Sequence, residues 1–597
     1  MSITRNRDEI AEKYKWKLED IYKDEASWEE DFKKVQEGLP EIEQFKNRLQ
    51  ESAGILYQAL QKLEELQRRT EKLYVYARMR RDENNTNTSY QTLFERIEWL
   101  SVQVSSSISF IIPEITAIAP DIIDNFMQQE AKLQVYRHFL DELWRQKKHI
   151  LSPDEERILA MSADLATAAG SFFNMFNNAD IKFPTIIDEE DRVVEITKGS
   201  YGRYMESSNR RVRQEAFKAL YNSYGKFKNT LASCLAAGVK KDIFYSRVRK
   251  YSNSLEAALD QDNISTNVYE QLIISVHNKL DYMYRYMKLR KEILGLAELH
   301  MYDIYVPLVS EYRVKIPYEK ACQKVLAGLQ PLGQEYNNLL KKAMHSGWID
   351  VYENQGKTSG AYSWGTFDTN PYVLMNYDNK LDDVFTLAHE LGHSLHSYYS
   401  NHNQPFIYSQ YPIFLAEVAS TVNESLLIDY LLQNSNDKQE KMYLINHYLE
   451  QFRGTVYRQT MFAEFEKIIH GQVEQGGALT TDELCRVYHD LNSLYYGPDV
   501  VMDKEIEWEW SRIPHFYSAF YVYKYATGFS AATVIKENIL KEGQPAVDRY
   551  LDFLKSGGSD YPLNLLKKVG VDLTTPQPVN QALEYFRYLL DELEQII

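Results

Sequence analysis

His389, Glu390, Leu391, Gly392 and His393 form an HExxH pentapeptide inside LDDVFTLAHELGHSLHSYYS. On a helix, residues four apart stand on one face a turn from each other, so both imidazoles can turn toward one metal ion. Glu390 lies beside the first histidine and can reach a metal-bound water without ligating the metal. The chemistry this spacing predicts is metal-assisted hydrolysis with Glu390 as general base. With 13 histidines and 85 acidic residues in 597, chance alone supplies at most about 0.04 such matches, so the motif is informative.

A catalytic zinc takes three protein ligands and keeps a fourth position open. A metzincin would need glycine at position 396 and histidine at 399, where this chain has His396 and Tyr399. A gluzincin takes a glutamate from a following helix instead, and YPIFLAEVASTVNESLLIDYLL offers Glu417, 24 residues after His393. Ser420, Thr421 and Glu424 share its stripe, while Phe414, Val418, Val422 and Leu426 lie on or near the other side. Glu417 is the expected third ligand. Glu424, two turns on, is expected to support a ligand or to replace Glu417. His396 shares the face of the two histidines, but three histidines from one helix would strain a tetrahedral site, so a role beside the ligands or toward substrate is expected.

Two other stretches offer chemistry. IPHFYSAFYVYKYATG presents His515 with Tyr517, Tyr521, Tyr523 and Tyr525, which can donate to the oxyanion that forms when a peptide bond is attacked. GKTSGAYSWGTFDTNPYVLMNY combines Gly356, Gly360 and Gly365 with the strand candidate YVLMNY, an edge on which an extended peptide could be added.

These residues need elements to hold them. Leu381 to Ser400 is free of proline, carries Asp382 and Asp383 at its start, and lines up Val384, Leu387, Ala388, Leu391 and Leu395 as an apolar stripe. Pro412 opens the helix that carries Glu417. Glycine and proline number only 25 and 17, well below the average of about 12%. No glycine occurs from Ile55 to Ala169, and ILYQALQKLEELQRRTEKLYVYARMRR has the helical period. The expected fold is mainly α with a small β component. IKFPTII and RVVEIT around DEED predict a β-hairpin. A boundary near residue 199 would divide an N-terminal helical region, 1–198, from a catalytic domain, 199–597.

Composition narrows the partners. Hydrophobic residues at 44% and charged residues at 26% fit a folded chain, and a net charge of −17 disfavours nucleic acid and anionic membrane. Cys234, Cys322 and Cys485 form no CxxC pair. The start of the chain has no apolar signal region, and LSVQVSSSISFIIPEITAIAP is too polar to span a bilayer. A cytoplasmic protein is expected.

HELGHSLH followed by EVAST resembles the thimet-type oligopeptidase family of zinc metallopeptidases, and within it the oligoendopeptidase F group. KYKWKLEDIYKDEASWEEDF, IKFPTI, GKTSGAYSWG, PYVLMNY, YYGPDVVMD and IPHFYSAFYVYKYATGFSAA extend the resemblance over most of the chain. The resemblance implies a zincin-type helical molecule with a deep cleft between the N-terminal region and the catalytic domain. It implies one zinc ion per chain, held by His389, His393 and Glu417, and cleavage of internal bonds in short oligopeptides. It also implies a histidine and a tyrosine that contact the substrate carbonyl, matched here by His515 and Tyr523. The spacing departs from the better-known thimet pattern, so Tyr517 and Tyr521 stand as alternates, and with Gly360 they are candidate substrate contacts. A zinc carboxypeptidase on the same scaffold and a noncatalytic peptide-binding protein are the rival readings.

Overall fold

The scarcity of helix breakers is realised as long helices, of which Ala53–Glu83 runs 31 residues. Its N-terminal turn is closed by Ser52 Oγ, which accepts the Ile55 N–H at 3.3 Å. The computed structural model describes residues 5–309 and 314–597 and is 72% helix and 3% strand. Its contacts divide the chain into two interleaved units, one of Met1–Lys148, Arg313–Tyr430 and Ile535–Gly570, the other of His149–Tyr312, Leu431–Val534 and Val571–Ile597.

In the first unit, helices Glu25–Glu43, Ala53–Glu83 and Thr88–Ile108 bury Trp28, Leu56, Leu60, Leu73, Ile97 and Leu100 in one core. No single helix among the described residues is long and apolar enough to cross a membrane. The pair Thr88–Ala117 and Pro120–Gln129, which passes such a test jointly, is bent by 104°. Its Val104, Ile111, Ile115 and Ile123 are spent on the same core.

A three-stranded sheet belongs to this unit. Strand Tyr372–Leu374 lies in the centre, parallel to Ile349–Asp350 and antiparallel to Tyr362–Trp364, with Val373 opposite both Ile349 and Ser363. The fully buried Lys357 ammonium stitches the connecting loops, donating to Asp350 Oδ1 at 2.7 Å and to the carbonyls of Tyr352 and Met375 at 2.7 and 2.6 Å. Beside the sheet runs the HExxH helix, Leu381–Asn403, followed by helix Ile413–Asn434. The HExxH helix also rests on Gln544–Lys555, where the His396 ring meets Phe553 at 5.6 Å.

The second unit contains helices Pro153–Met175, Lys228–Val248, Thr266–His277, Arg458–Glu474 and Thr481–Tyr496. The hairpin foreseen near residue 190 is there, pairing Thr185–Ile187 antiparallel to Val193–Glu195. Arg211, on the next long helix, donates to the Ile187 carbonyl at 3.0 Å. Residue 199 therefore lies within one unit, and the chain changes unit elsewhere, because segments far apart in sequence supply each core.

Candidate active site

The HExxH helix is fixed at both its start and its face. Asp383 Oδ2 accepts the N–H groups of Asp378 and Lys380, each at 2.8 Å, which closes the first turn. Val384, Leu387, Ala388, Leu391 and Leu395 are all fully buried, as the stripe predicts. Across them packs helix Ile413–Asn434 with Phe414, Val418, Val422 and Leu426 equally buried. Asn423 ties the two helices, donating to the Ala388 carbonyl at 3.0 Å while accepting from the Tyr336 hydroxyl at 2.8 Å. The approach is close because Gly392 has no side chain: a Cβ there would sit 2.5 Å from Ser420 Cα and 2.7 Å from the Ala419 carbonyl oxygen.

This crossing gathers three donor atoms. His389 Nε2 and His393 Nε2 are 3.2 Å apart. Glu417 Oε2 lies 3.4 Å from the first and 3.5 Å from the second. Among the described residues these three side chains are the group that could hold a metal ion. Zinc bonds of roughly 2.0–2.2 Å in a tetrahedral site set neighbouring ligand atoms about 3.3–3.5 Å apart, so the donor triangle already has the dimensions of such a site. The His389 Nδ1–Glu424 Oε1 contact of 2.5 Å turns the Nε2 lone pair toward the triangle.

The electrostatics point the same way. Burial works to lower the His389 pKa, but Glu424, Glu390 and Glu417 outweigh it and raise it to about 9. Burial would raise the Glu417 carboxyl, yet His393, His389 and Ser420 hold it down to about 2. Three carboxylates around two imidazoles draw a proton in, and a divalent cation meets the same demand with more charge. Burial lifts the pKa of Glu390, which is 7% exposed, against the pull of His389 and His393.

Glu424 thus holds the His389 ring and lies outside the donor triangle. Glu424→Ala is expected to weaken metal affinity by about 10–100-fold, whereas Glu417→Ala should leave the protein metal-free after dialysis. Metal content of the two purified variants checks this, and stripping by the first change alone would invert the assignment. Of the two roles expected for His396, burial argues against the one toward substrate: its ring is 1% exposed and lies flat on Tyr411, centroids 3.6 Å apart. Burial, helped by His393, pushes its pKa down to about 3, and the ring is neutral.

Residues 203–585 match the family model described as peptidase family M3. The chain belongs to peptidase family M3. Residues 114–183 of this M3 chain match a second model, described as oligopeptidase F. The oligopeptidase PepF of Bacillus subtilis is 46% identical over 99% of this chain and 88% of its own length. An oligoendopeptidase F homolog of Lactococcus lactis is 40% identical over 100% of this chain and 99% of its own. The crystal structure of oligoendopeptidase-F from Enterococcus faecium superposes with a TM-score of 0.75 at 38% identity, covering 96% of this chain and 99% of that one.

In the second unit of this M3 peptidase, the aromatic segment sorts itself by burial. His515 keeps company with Tyr521 and Tyr525, ring centroids 6.5 and 6.0 Å away, and the two tyrosines are 5.5 Å apart. All three are partly exposed. Tyr523 is not: it is fully buried with its ring 5.1 Å from Tyr269, which corrects the expectation that it meets substrate. Tyr517 stacks on Phe173 at 4.5 Å, and burial raises its hydroxyl pKa. Ala526 and Phe529 face inward from the helix that begins at Tyr523, and Val522 just before it is buried with them. That apolar spacing leaves 521 and 525 outward and is the sequence signal that singles them out.

The sheet corrects a second expectation. Tyr372–Leu374 is the buried central strand, so YVLMNY offers no edge. The edges are Ile349–Asp350, which is buried, and Tyr362–Trp364, which Ser363 Oγ joins to Ser394 Oγ on the HExxH helix at 2.8 Å. Gly360 precedes that edge with φ +85° and open space where a Cβ would stand, and its carbonyl accepts from Asn376 Nδ2 at 2.8 Å. The glycine therefore serves an edge, though not the one the sequence pointed to.

Proposed function

We propose that this M3 peptidase is a zinc-dependent oligoendopeptidase in which His389, His393 and Glu417 hold one zinc ion and Glu390 carries the proton. The observation that bears most weight is the donor triangle, whose three edges of 3.2, 3.4 and 3.5 Å fit a tetrahedral ion. When bound, the ion supplies a Lewis acid that polarises the scissile carbonyl and acidifies water. The side chains do the rest. Glu390 takes a proton from the attacking water and returns it to the departing amine nitrogen as the carbon–nitrogen bond breaks. Glu424 keeps His389 in the tautomer that leaves Nε2 free. His515, Tyr521 and Tyr525 donate hydrogen bonds to the oxyanion. Strand Tyr362–Trp364 receives the peptide backbone as an added strand, with Gly360 permitting close approach.

The relatives' names, oligopeptidase and oligoendopeptidase F, support short peptides as substrates and internal bonds as the target. The reading also places the protein in the cytoplasm, with neither nucleic acid nor membrane as partner. Its three free cysteines and net charge of −17 support this. A fluorogenic peptide blocked at both termini tests the proposal. We expect cleavage at an internal bond, abolished by a chelator and restored by zinc. A carboxypeptidase would spare the blocked peptide and cut only one with a free carboxyl terminus. A binding protein would turn over neither.

A further inference from the structure

Glu466 lies on helix Arg458–Glu474 with its side chain fully buried, and the chemistry above makes no use of it. Its Oε2 has no hydrogen-bond partner among the described residues. A leucine would fill this space without stranding a polar atom, so the carboxyl needs a reason to be there. The other oxygen supplies one: Oε1 accepts the backbone N–H of Phe520 at 3.0 Å.

Phe520 is an unusual recipient. Its φ of +58° lies in the left-handed region, where a bulky L-residue is rarely found unless its surroundings hold it. Its ring is 2% exposed and wedged against His470 at 4.6 Å and Tyr269 at 5.8 Å. Tyr269 is itself anchored to the same helix, donating from its hydroxyl to the Ala463 carbonyl at 2.6 Å. Burial, with Asp242 nearby, lifts the Glu466 carboxyl well above the usual range despite the Phe520 N–H. Glutamine keeps the size of this side chain and an oxygen that can accept the Phe520 N–H. The turn at Phe520 falls between the short helix Pro514–Tyr517 and the helix that begins at Tyr523. It is the point that brings Tyr521 back beside His515, with the two rings near parallel at 20°.

We infer that Glu466 is a positioning residue that fixes Phe520 in its left-handed turn and thereby sets the His515, Tyr521 and Tyr525 side chains for the substrate. The inference rests on the reading of that cluster as carbonyl-facing. Its measurable content is a local one. The bond from Glu466 should control the order of residues 518–523 without touching the metal centre or the general base.

The test uses the full-length zinc-loaded enzyme with a blocked peptide substrate. Glu466→Leu removes the acceptor without opening a cavity and should lower kcat by about 100-fold, the scale of an ångström-sized misplacement. KM should move by less than about threefold, because backbone binding on the edge strand is left alone. Amide hydrogen exchange across 518–523 should accelerate in this variant, with metal content unchanged. Glu466→Gln keeps the acceptor and should restore kcat and exchange protection to within about threefold of wild type. Phe520→Pro forbids positive φ and removes the N–H while leaving Glu466 in place. It should reproduce the kcat loss, and it decides the matter if the leucine variant does not fold. Wild-type kcat in Glu466→Leu or in Phe520→Pro overturns the inference, as does a glutamine variant as damaged as the leucine one. His515→Ala separates this from the underlying reading. If it keeps full activity, the carbonyl-facing role falls and the inference with it. If it alone loses activity, only the positioning role fails.

Discussion

Replacing Glu390 with glutamine should leave zinc bound and the fold intact while cutting turnover of a blocked peptide by at least about 10²–10⁴-fold. The amide has the carboxylate's shape but cannot accept a proton from water, so the attacking oxygen loses its base and the leaving amine its acid. The fold has no reason to suffer. Glu390 is 7% exposed and not among the three donors, and burial together with Glu417 and Glu424 already disfavours its negative charge. Stability should therefore hold or rise slightly, because a buried charge is removed. The measurements are kcat, bound zinc per chain and the thermal midpoint of one preparation. Turnover within tenfold of wild type would take Glu390 out of the mechanism.

Gly392→Ala should be nearly as damaging by a different route. In an isolated helix the change would stabilise by about 1 kcal/mol. Here the new methyl would meet Ser420 Cα at 2.5 Å, the Ala419 carbonyl oxygen at 2.7 Å and Ser420 N at 2.8 Å. All three are backbone atoms, which cannot rotate aside, so the helices must part. Overpacking of this kind costs about 1–3 kcal/mol and wins over the helix gain. Glu417 lies one turn before the point of collision and would move with its helix, opening a triangle whose edges are now 3.2–3.5 Å. We expect a folded protein with a lowered midpoint, little bound zinc and activity below about 1% of wild type, since metal affinity depends on all three ligands meeting at once. Full zinc occupancy at wild-type affinity would mean the crossing has slack and the glycine is dispensable.

The metal-site candidates were readable in the sequence because ligation on a helix has a period. His389 and His393 are one turn apart, and Glu417 belongs to a second amphipathic helix whose apolar side is equally plain. What could not be read depends on partners remote in sequence. Tyr523 and Tyr521 look alike in a tyrosine-rich stretch, and the difference is set by Tyr269 and by the left-handed turn at Phe520. YVLMNY has strand character whether it lies at an edge or in the centre. Only its pairing with Ile349–Asp350, more than twenty residues earlier, decides that it is central. His396 sits on the ligand face by spacing, but Tyr411, from beyond the end of that helix, covers it. Residue 199 lies inside one contact unit, where the turn residues mark a hairpin, and it falls between the stretches matched by the two family models.

The seat of the HExxH helix also bears on how the molecule is made. That helix rests on Gln544–Lys555, with His396 against Phe553 and Gln404 Nε2 donating to the Lys555 carbonyl at 2.8 Å. The supporting helix leaves the ribosome some 150 residues after the histidines. At about 5–20 residues per second, this leaves an interval of roughly 8–30 s in which the histidines exist without their support. Until then the apolar stripe of the HExxH helix lacks one of its partners, and the crossing that defines the donor triangle is not yet braced.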